Sequence, residues 1–278
     1  MKYNIFYKNI PNMGDLLNKV MLESLFNIEV NLSPITHSNI IAIGSGLRYT
    51  LCKGSYMRQL GHKAWHYFKP NPFYVWGTGF MKYSEGESSQ FVFPHIKFLS
   101  LRGKLTKQKV EKILGKEIDV PLGDGGLLAE RWIDRNIEKK YRVGIIPHFR
   151  EQEFSAISEM RNFYSDSIII NLREDPKEVV KQIASCEVVL SSSLHGLIVA
   201  DSFHIPNLHI KLFDYGEKMY GDGFKFEDYY SSFSLKDKPI LINNKSKWPT
   251  VSDIIGMYQI DKMQVEQKKD AIFHSFPR

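Results

Sequence analysis

The stretch VVLSSSLHGLIVADSFHIPNL, residues 188–208, decides how the chain folds. An apolar run ending at Leu190 has the length and β-branched content of a buried strand, and a second run opening at Leu194 has helical spacing. Ser191, Ser192, Ser193, His195 and Gly196 fill the joint, and another short strand, PNLHI, follows at 206–210. Strand, helix and strand in such quick succession are the unit of a parallel sheet covered by helices. Ser193 is placed to cap the helix, which leaves His195 in its first turn. N–H groups there lack intrahelical partners, and the helix dipole adds partial positive charge. That terminus suits a phosphate, with the Ser192 and Ser193 hydroxyls and the Leu194 and Gly196 amides as neighbours. A histidine beside it can move a proton. A plain serine cap with His195 bonded to a carbonyl fits the same residues.

The alternation extends in both directions. Upstream, YNIFYK at 3–8 reads as a strand and GDLLNKVMLESLF at 14–26 as a helix with Leu17, Val20, Met21 and Leu25 in helical register. NIIAIGSG, FYVWGTG and IKFLSLRG are strands that each run into a glycine turn. KLTKQKVEKIL is a helix stopped by Gly115, and IDVPLGDGG is a further strand and turn. The charged segment ERWIDRNIEKKY, 130–141, separates this series from a second: YRVGIIPHF, SIIINL, a helix capped by Asp175 with Pro176 at its first position, then EVVLS and the stretch quoted above. The pattern predicts an α/β protein of two doubly wound parallel sheets facing a cleft. Residues 1–135 form one half, 136–250 the other, and 251–278 carry a terminal helix after Pro249. The run YGDGFKFEDYYSSF, 220–233, has neither a helical nor a strand period. Its aromatic and acidic residues suit a sugar, or a loop covering an apolar seam.

The chain has 278 residues, 43% hydrophobic and 24% charged, the balance of a soluble globular protein with a sizeable core. Two cysteines without a CxxC spacing argue against a disulfide or metal framework and fit a reducing compartment. The opening residues lack a secretory apolar region, and no stretch is apolar enough to span a bilayer. The net charge of +6 suits an anionic membrane face or a phosphorylated substrate. No nucleic-acid motif accompanies it, so no nucleic-acid partner is expected.

In open α/β sheets ligands bind beyond the carboxyl ends of the strands, and the small and polar residues collect there. His148 and Arg150 end a strand, with Arg150 offering a planar fork to an anion; an exposed strand terminus reads the same way. Asp15 opens the first helix as a cap or as the holder of a substrate hydroxyl, with Asn18 one turn on. Gly46, Thr78, Arg102 and Asp124 stand at the other turns, and Lys225 is a candidate phosphate contact.

Taken in order, GDLLN, WGTGF, LRGKLT, LGDGG, GIIPHF, the block DPKEVVKQIASCEVVLSSSLHGLIVADSFHIPNL and GFKFEDYY resemble the polysaccharide pyruvyltransferases, the bacterial ketal pyruvyltransferases of exopolysaccharide and capsule assembly above all. The resemblance covers about residues 12–233. It implies a GT-B-like fold, phosphoenolpyruvate as donor rather than a bound cofactor, no metal, and a sugar of a lipid-linked oligosaccharide or polysaccharide as acceptor. It places the protein in the cytoplasm at the inner membrane face. His195 is implied to be catalytic; His148 is expected beside it as a second proton carrier or as a base that orients the acceptor. Many members carry arginine where this chain has Ser193. The donor contacts expected here are therefore Arg150, Ser192, Ser193, Leu194, Gly196, Lys225 and Arg102, and the acceptor contacts Asp15, Asn18, Gly46, Thr78 and Asp124. A nucleotide-sugar glycosyltransferase and a non-enzymatic sugar-binding subunit are the competing readings of the same fold.

Overall fold

The computed structural model describes residues 1–52, 61, 64, 67, 71–87, 89–133, 136–212, 222–242 and 248–277. The N-terminal half holds strands β1 (Lys2–Ile5), β2 (Glu29–Leu32), β3 (Ile40–Ile41), β4 (Phe73–Val75) and β5 (Ile96–Phe98). They form a parallel sheet of order β2-β1-β3-β4-β5. Helix α1 (Met13–Phe26) joins β1 to β2 and buries Met13, Leu17, Met21 and Leu22, and Asn27 ends it in the left-handed region at φ 49°. Helix α2 (Lys104–Leu114) follows β5 and ends at Gly115, φ 66°. A 3-10 turn (Gly125–Leu128) and the short α3 (Ala129–Trp132) close the half.

The C-terminal half repeats the plan. Strands β6 (Tyr141–Ile146), β7 (Ser167–Ile169), β8 (Cys186–Ser191), β9 (Asn207–Leu212) and β10 (Ile240–Ile242) form a second parallel sheet of order β10-β9-β8-β6-β7. Helices α4 (Ser155–Phe163), α5 (Pro176–Ala184) and α6 (Leu194–Ser202) make its crossovers. The Asp175 carboxylate accepts the N–H groups of Lys177 and Glu178 and so starts α5. This is the two-domain α/β arrangement of a GT-B-like fold. The strand order reverses between β1 and β3 in one sheet and between β6 and β8 in the other, so each half presents a switch-point crevice, the usual ligand position in such sheets.

Three segments differ from the expectation drawn from the sequence. Within the run 220–233, whose Tyr220 and Gly221 lie outside the described residues, residues 224–231 form helix α7 (Phe224–Ser231). Its Phe224, Phe226, Asp228 and Tyr229 are all buried, so no polar face marks it as a helix in sequence. The single terminal helix expected after Pro249 is two. A capping box of Thr250 and Asp253 starts α8 (Val251–Met257), and Asp261 caps α9 (Lys262–Ser275). IDVPLGDGG makes only one bridge, Leu101 to Leu122, before its turn. Strands β2 and β10 and helix α4 were not expected from the pattern.

One apolar core runs through both halves, from Ile5, Met13 and Leu17 to Leu197, Ile198 and Val265. Helix α9 lies on the N-terminal half: Trp76 donates its indole N–H to the Ile272 carbonyl at 3.0 Å, and Phe26 stacks on Phe276 at 3.9 Å. Helix α7 crosses the same way. Its Asp228 pairs with Arg102 at 2.9 Å and accepts the Thr106 N–H and hydroxyl, each at 2.7 Å. A methyl group on Gly103 would stand 2.5 Å from the Asp228 carbonyl carbon, so only glycine there lets α7 seat. Among the described residues no helix is long and apolar enough to cross a membrane.

Candidate active site

A cavity of about 450 Å³ opens between the halves, where the two crevices face each other. Its floor is the end of β3, Ile41 to Gly46. One wall is the segment after β1, Phe6 to Asn12, with Asp15 of α1. The other wall is the end of β6, His148 to Arg150, and the start of α6, Ser193 to His195. Lys225 enters from α7, and Arg48, Tyr49, Met81 and Arg173 complete the lining. Five cationic side chains, Lys8, Arg48, Arg150, Arg173 and Lys225, therefore face one carboxylate, Asp15, across a space suited to a small polyanion with part of a sugar.

His195 belongs to the C-terminal half but inserts into the N-terminal one. A methyl group on Gly14 would lie 2.5 Å from its Cγ and 2.6 Å from its Cε1. One on Gly44 would lie 3.5 Å from Cε1, and one on Gly126 3.8 Å from Cδ2. Three glycines from three turns thus make the slot that holds the ring. Nε2 is buried and makes no hydrogen bond. Burial pushes the imidazole down to about 3, and the nearby charges of Lys225 and Arg102 push the same way. Burial also lowers Lys225, to about 8, with Arg102 adding to the fall and Glu151 and Asp15 opposing it.

Ser193 starts α6 without a capping hydrogen bond from its side chain, so the first-turn N–H groups beside His195 have no capping oxygen. The Ser191 hydroxyl accepts the Ser193 N–H at 3.0 Å and holds the turn. The Ser192 hydroxyl accepts the His148 N–H at 2.8 Å and donates to the Glu151 carboxylate. Burial raises Glu151 above the ordinary carboxylate range, and the Ser192 hydroxyl and His148 amide pull it back. Burial, then Lys225 and Arg150, push His148 down to about 3. Asp15 is raised by burial, with Asn12, Lys8 and Lys225 acting against the shift, and it accepts the Asn12 amide at 2.7 Å.

Of the residues picked from sequence, His148, Arg150, Ser193, Leu194, His195, Lys225, Asp15 and Gly46 line the cavity together. Six stand behind it. Arg102 is fully buried, and its fork is occupied by Asp228, the Gly44 carbonyl, the Ser45 hydroxyl and the Phe80 carbonyl. It clasps the halves together rather than presenting a donor to the cavity. Asn18 ties α1 to β3 through the Asp15 and Ile43 carbonyls. Thr78 donates to the Gly44 carbonyl at 2.9 Å and accepts the Gly46 N–H at 3.2 Å. Ser192 is engaged as described, and Gly196 is needed because a methyl group there would meet Ser191 Oγ at 2.5 Å. Asp124 caps the 3-10 turn by accepting the Gly126 N–H at 2.9 Å. Sequence reasoning missed Tyr7, Lys8, Arg48, Tyr49, Arg173 and Glu151. The first four follow β1 and β3, so the rule that picked out the other strand ends would have found them. Glu151 carries no local signal, because its role comes from contact with Ser192. Among the described residues no group of three or more His, Cys, Asp or Glu side chains is placed to hold a metal ion.

Residues 2–215 match the family described as polysaccharide pyruvyl transferase. Among curated proteins the chain is 35% identical over 140 residues to the uncharacterized protein L143 of Acanthamoeba polyphaga mimivirus, a match covering 49% of this chain and 48% of that protein. It is 28% identical over 110 residues to the succinoglycan biosynthesis protein ExoV of Rhizobium meliloti (strain 1021), covering 38% of this chain and 33% of ExoV. The matched region thus spans half or less of each relative. With strand-end glycines, α6 turn and interdomain cavity arranged as above, and the match running through both sheets as far as β9, the chain belongs to the polysaccharide pyruvyl transferase family.

Proposed function

We propose that this protein transfers pyruvate from phosphoenolpyruvate to two hydroxyls of one sugar in a lipid-linked oligosaccharide or polysaccharide, forming a cyclic ketal and releasing inorganic phosphate. The observation that carries this reading is the placing of His195 and Lys225 on one cavity wall at the uncapped start of α6. A phosphate at that terminus meets free first-turn N–H groups, the helix dipole and the Lys225 ammonium. Arg150 and Arg173 stand at the mouth to receive the carboxylate.

The enol ether of phosphoenolpyruvate becomes electrophilic at C2 only once its methylene carbon is protonated. His195 supplies that proton as general acid. A sugar hydroxyl adds to C2, giving a tetrahedral centre that carries methyl, carboxylate, phosphate and sugar oxygen. The C2–O bond to phosphate then breaks, and a second hydroxyl of the same sugar closes the ring. Of the two hydroxyl protons released, one replaces the proton given to the methylene and the other leaves with phosphate. Burial is the main cause that holds His195 down; an anionic donor beside Lys225 opposes only the smaller contributions of Lys225 and Arg102, and so moves the ring towards protonation. Asp15, facing Lys225 across the cavity, is the candidate to hold an acceptor hydroxyl, and the Phe6–Tyr49 pair, rings 4.7 Å apart, offers a face to a sugar.

Thermal unfolding with phosphoenolpyruvate and with a panel of nucleotide sugars tests the donor. Phosphoenolpyruvate should raise the melting temperature of the wild type and not of Lys225→Met, because a ligand stabilises the state it binds. A rise with nucleotide sugars alone would turn the site into one for a glycosyltransferase donor.

A further inference from the structure

We propose that His209, braced by Asp237, is the positioning residue of Lys225: through the Phe226 ring it sets where α7 presents the ammonium to the cavity. His209 lies in β9, paired with Ser191 at the end of β8, so it stands level with the turn that starts α6. Side chains alternate across a strand. Leu208, Ile210 and Leu212 join the core on one face of the sheet, and His209 looks to the other, where it meets Phe226 of α7. The two rings are stacked, 11° from parallel, with centroids 3.7 Å apart. The histidine Nδ1 lies 2.8 and 3.0 Å from the two Asp237 carboxylate oxygens. The His209 and Asp237 side chains are only 3% and 4% exposed. Lys225 precedes Phe226, and its Nζ lies 4.9 Å from the centre of that ring. Asp237, His209, Phe226 and Lys225 thus form one chain of contacts that ends at an ammonium lining the cavity.

The last link matters because no hydrogen bond or ion pair to a described residue fixes that ammonium. Holding a long lysine stem in one place costs conformational entropy, and the face of a ring attracts the cation and narrows its reach. The other anchors of α7 hold different parts of it. Asp222 accepts the Phe224 N–H before the lysine, and Asp228 and Tyr229, beyond it, are tied to Arg102 and Asp201. Phe226 is the ring beside Lys225, and it rests on His209. Burial lowers the imidazole below its ordinary range against the pull of Asp237, and Lys211 and Lys225 add to the fall. At neutral pH the ring is therefore uncharged and donates Nδ1–H to the carboxylate. It adds no positive charge around Lys225, and its bond to Asp237 fixes the plane on which Phe226 lies. An apolar side chain would fill the same space with nothing to hold its orientation. A buried imidazole and carboxylate are a costly way to fill the face of a sheet, which argues that the orientation is used.

This arrangement deepens the pyruvyl-transfer reading, on which only its consequence for phosphoenolpyruvate rests. Lys225 meets the phosphate in the bound donor as well as in the group that leaves. Displacing the ammonium therefore weakens donor binding more than it slows the bound complex, and the loss falls on KM before kcat.

The test is carbon NMR on protein carrying labelled lysine, with the Lys225 ε-methylene signal assigned by its loss in Lys225→Met. The Phe226 ring should displace this signal in the wild type, and in His209→Ala it should move towards the position of an exposed lysine. His209→Leu, which keeps the volume but neither the ring nor the bond to Asp237, should behave alike and covers the case in which the alanine variant fails to fold. Asp237→Asn, whose amide oxygen still accepts the Nδ1–H, should keep the signal near its wild-type position. In pyruvyl transfer, KM for phosphoenolpyruvate should rise about tenfold in either histidine variant while kcat stays within a factor of about three. In a Lys225→Met background the same substitutions should change KM by less than about twofold, because residues that act through one another are not additive. A Lys225 signal unmoved in a folded histidine variant would overturn the positioning, even if the wild type transfers pyruvate, and so would an equal rise of KM in both backgrounds. A signal that moves in a protein that transfers no pyruvate would uphold the positioning and sink the activity.

Discussion

The imidazole of His195 occupies the space that a side chain on Gly14 would need. The two residues are remote in sequence and come from opposite halves, yet a methyl group on Gly14 would lie 2.5 Å from the histidine Cγ. Gly14 sits in the first turn of α1, where alanine would ordinarily favour the helix by up to about 1 kcal/mol. The GDLLN and SSSLHG segments are thus two sides of one slot.

Gly14→Ala should therefore separate folding from function. The ring must leave the slot, because the backbone of α1 is anchored by the Met13 N–H on the Leu172 carbonyl at 2.7 Å. Far-ultraviolet circular dichroism should match wild type while pyruvyl transfer falls more than about tenfold, the scale expected when a reacting group is misplaced by about 1 Å. Activity within twofold of wild type would show that the ring position is not used.

His195→Gln should abolish most transfer, by about 10²–10⁴-fold, the usual worth of a general acid, and should also change how stability depends on pH. In the folded state His195 is held at about 3, against an ordinary 6.5. Between these values the unfolded chain takes up a proton that the folded chain refuses, so the contribution of His195 is full above pH 6.5 and is lost as pH falls towards 3. Asp124 and Asp201, raised to about 7 and about 6, slope the opposite way over part of this window. The quantity to follow by urea unfolding is consequently the difference between wild type and variant. That difference should move in favour of His195→Gln as pH drops from 7 to 4; a constant difference would mean that the ring is not held neutral.

Lys225, lowered to about 8, is charged at neutral pH and loses that charge as pH rises through 8. Donor affinity measured by calorimetry should decline above that pH. In Lys225→Met it should be weak throughout and lack this decline. Equal affinity in the two proteins would move the phosphate away from α6.

Arg102→Ala should act on stability. Its ion pair with Asp228 is fully buried, and removing one partner of such a pair costs about 3–5 kcal/mol through the charge left behind. The denaturant midpoint should fall accordingly. A stable variant that had lost only donor binding would return Arg102 to the cavity.

The net charge of +6, with Lys8, Arg150 and Arg173 exposed at the cavity mouth, suits an acceptor presented on an anionic membrane. Sedimentation with anionic vesicles should show binding at low salt that high salt abolishes. Binding indifferent to salt, or equal on neutral vesicles, would count against a peripheral role.

By itself the sequence determined the alternation of strands and helices, because apolar period and glycine stops are local properties that survive without a partner. It also located most strand-end turns, and with them His195, His148 and Arg150, and it picked out Lys225 in the run 220–233. What it left undecided was which polar residue at a turn looks into the cavity and which looks back into the wall. Arg102 and Thr78 stand at the same kind of turn as Gly46 and Arg150, but their hydrogen bonds are made to groups far along the chain; Asn18, inside α1, reaches the Ile43 carbonyl, and Asp124 turns back to cap its own 3-10 turn. Helix α7 was hidden for the same reason: with Arg102, Asp201 and the neighbouring core covering it on several sides, its pattern has no solvent face to read. Which atoms a buried polar group meets depends on segments distant in sequence, and only the docking of the two halves, with α7 clasped to Arg102 and His195 slotted among three glycines, decided it.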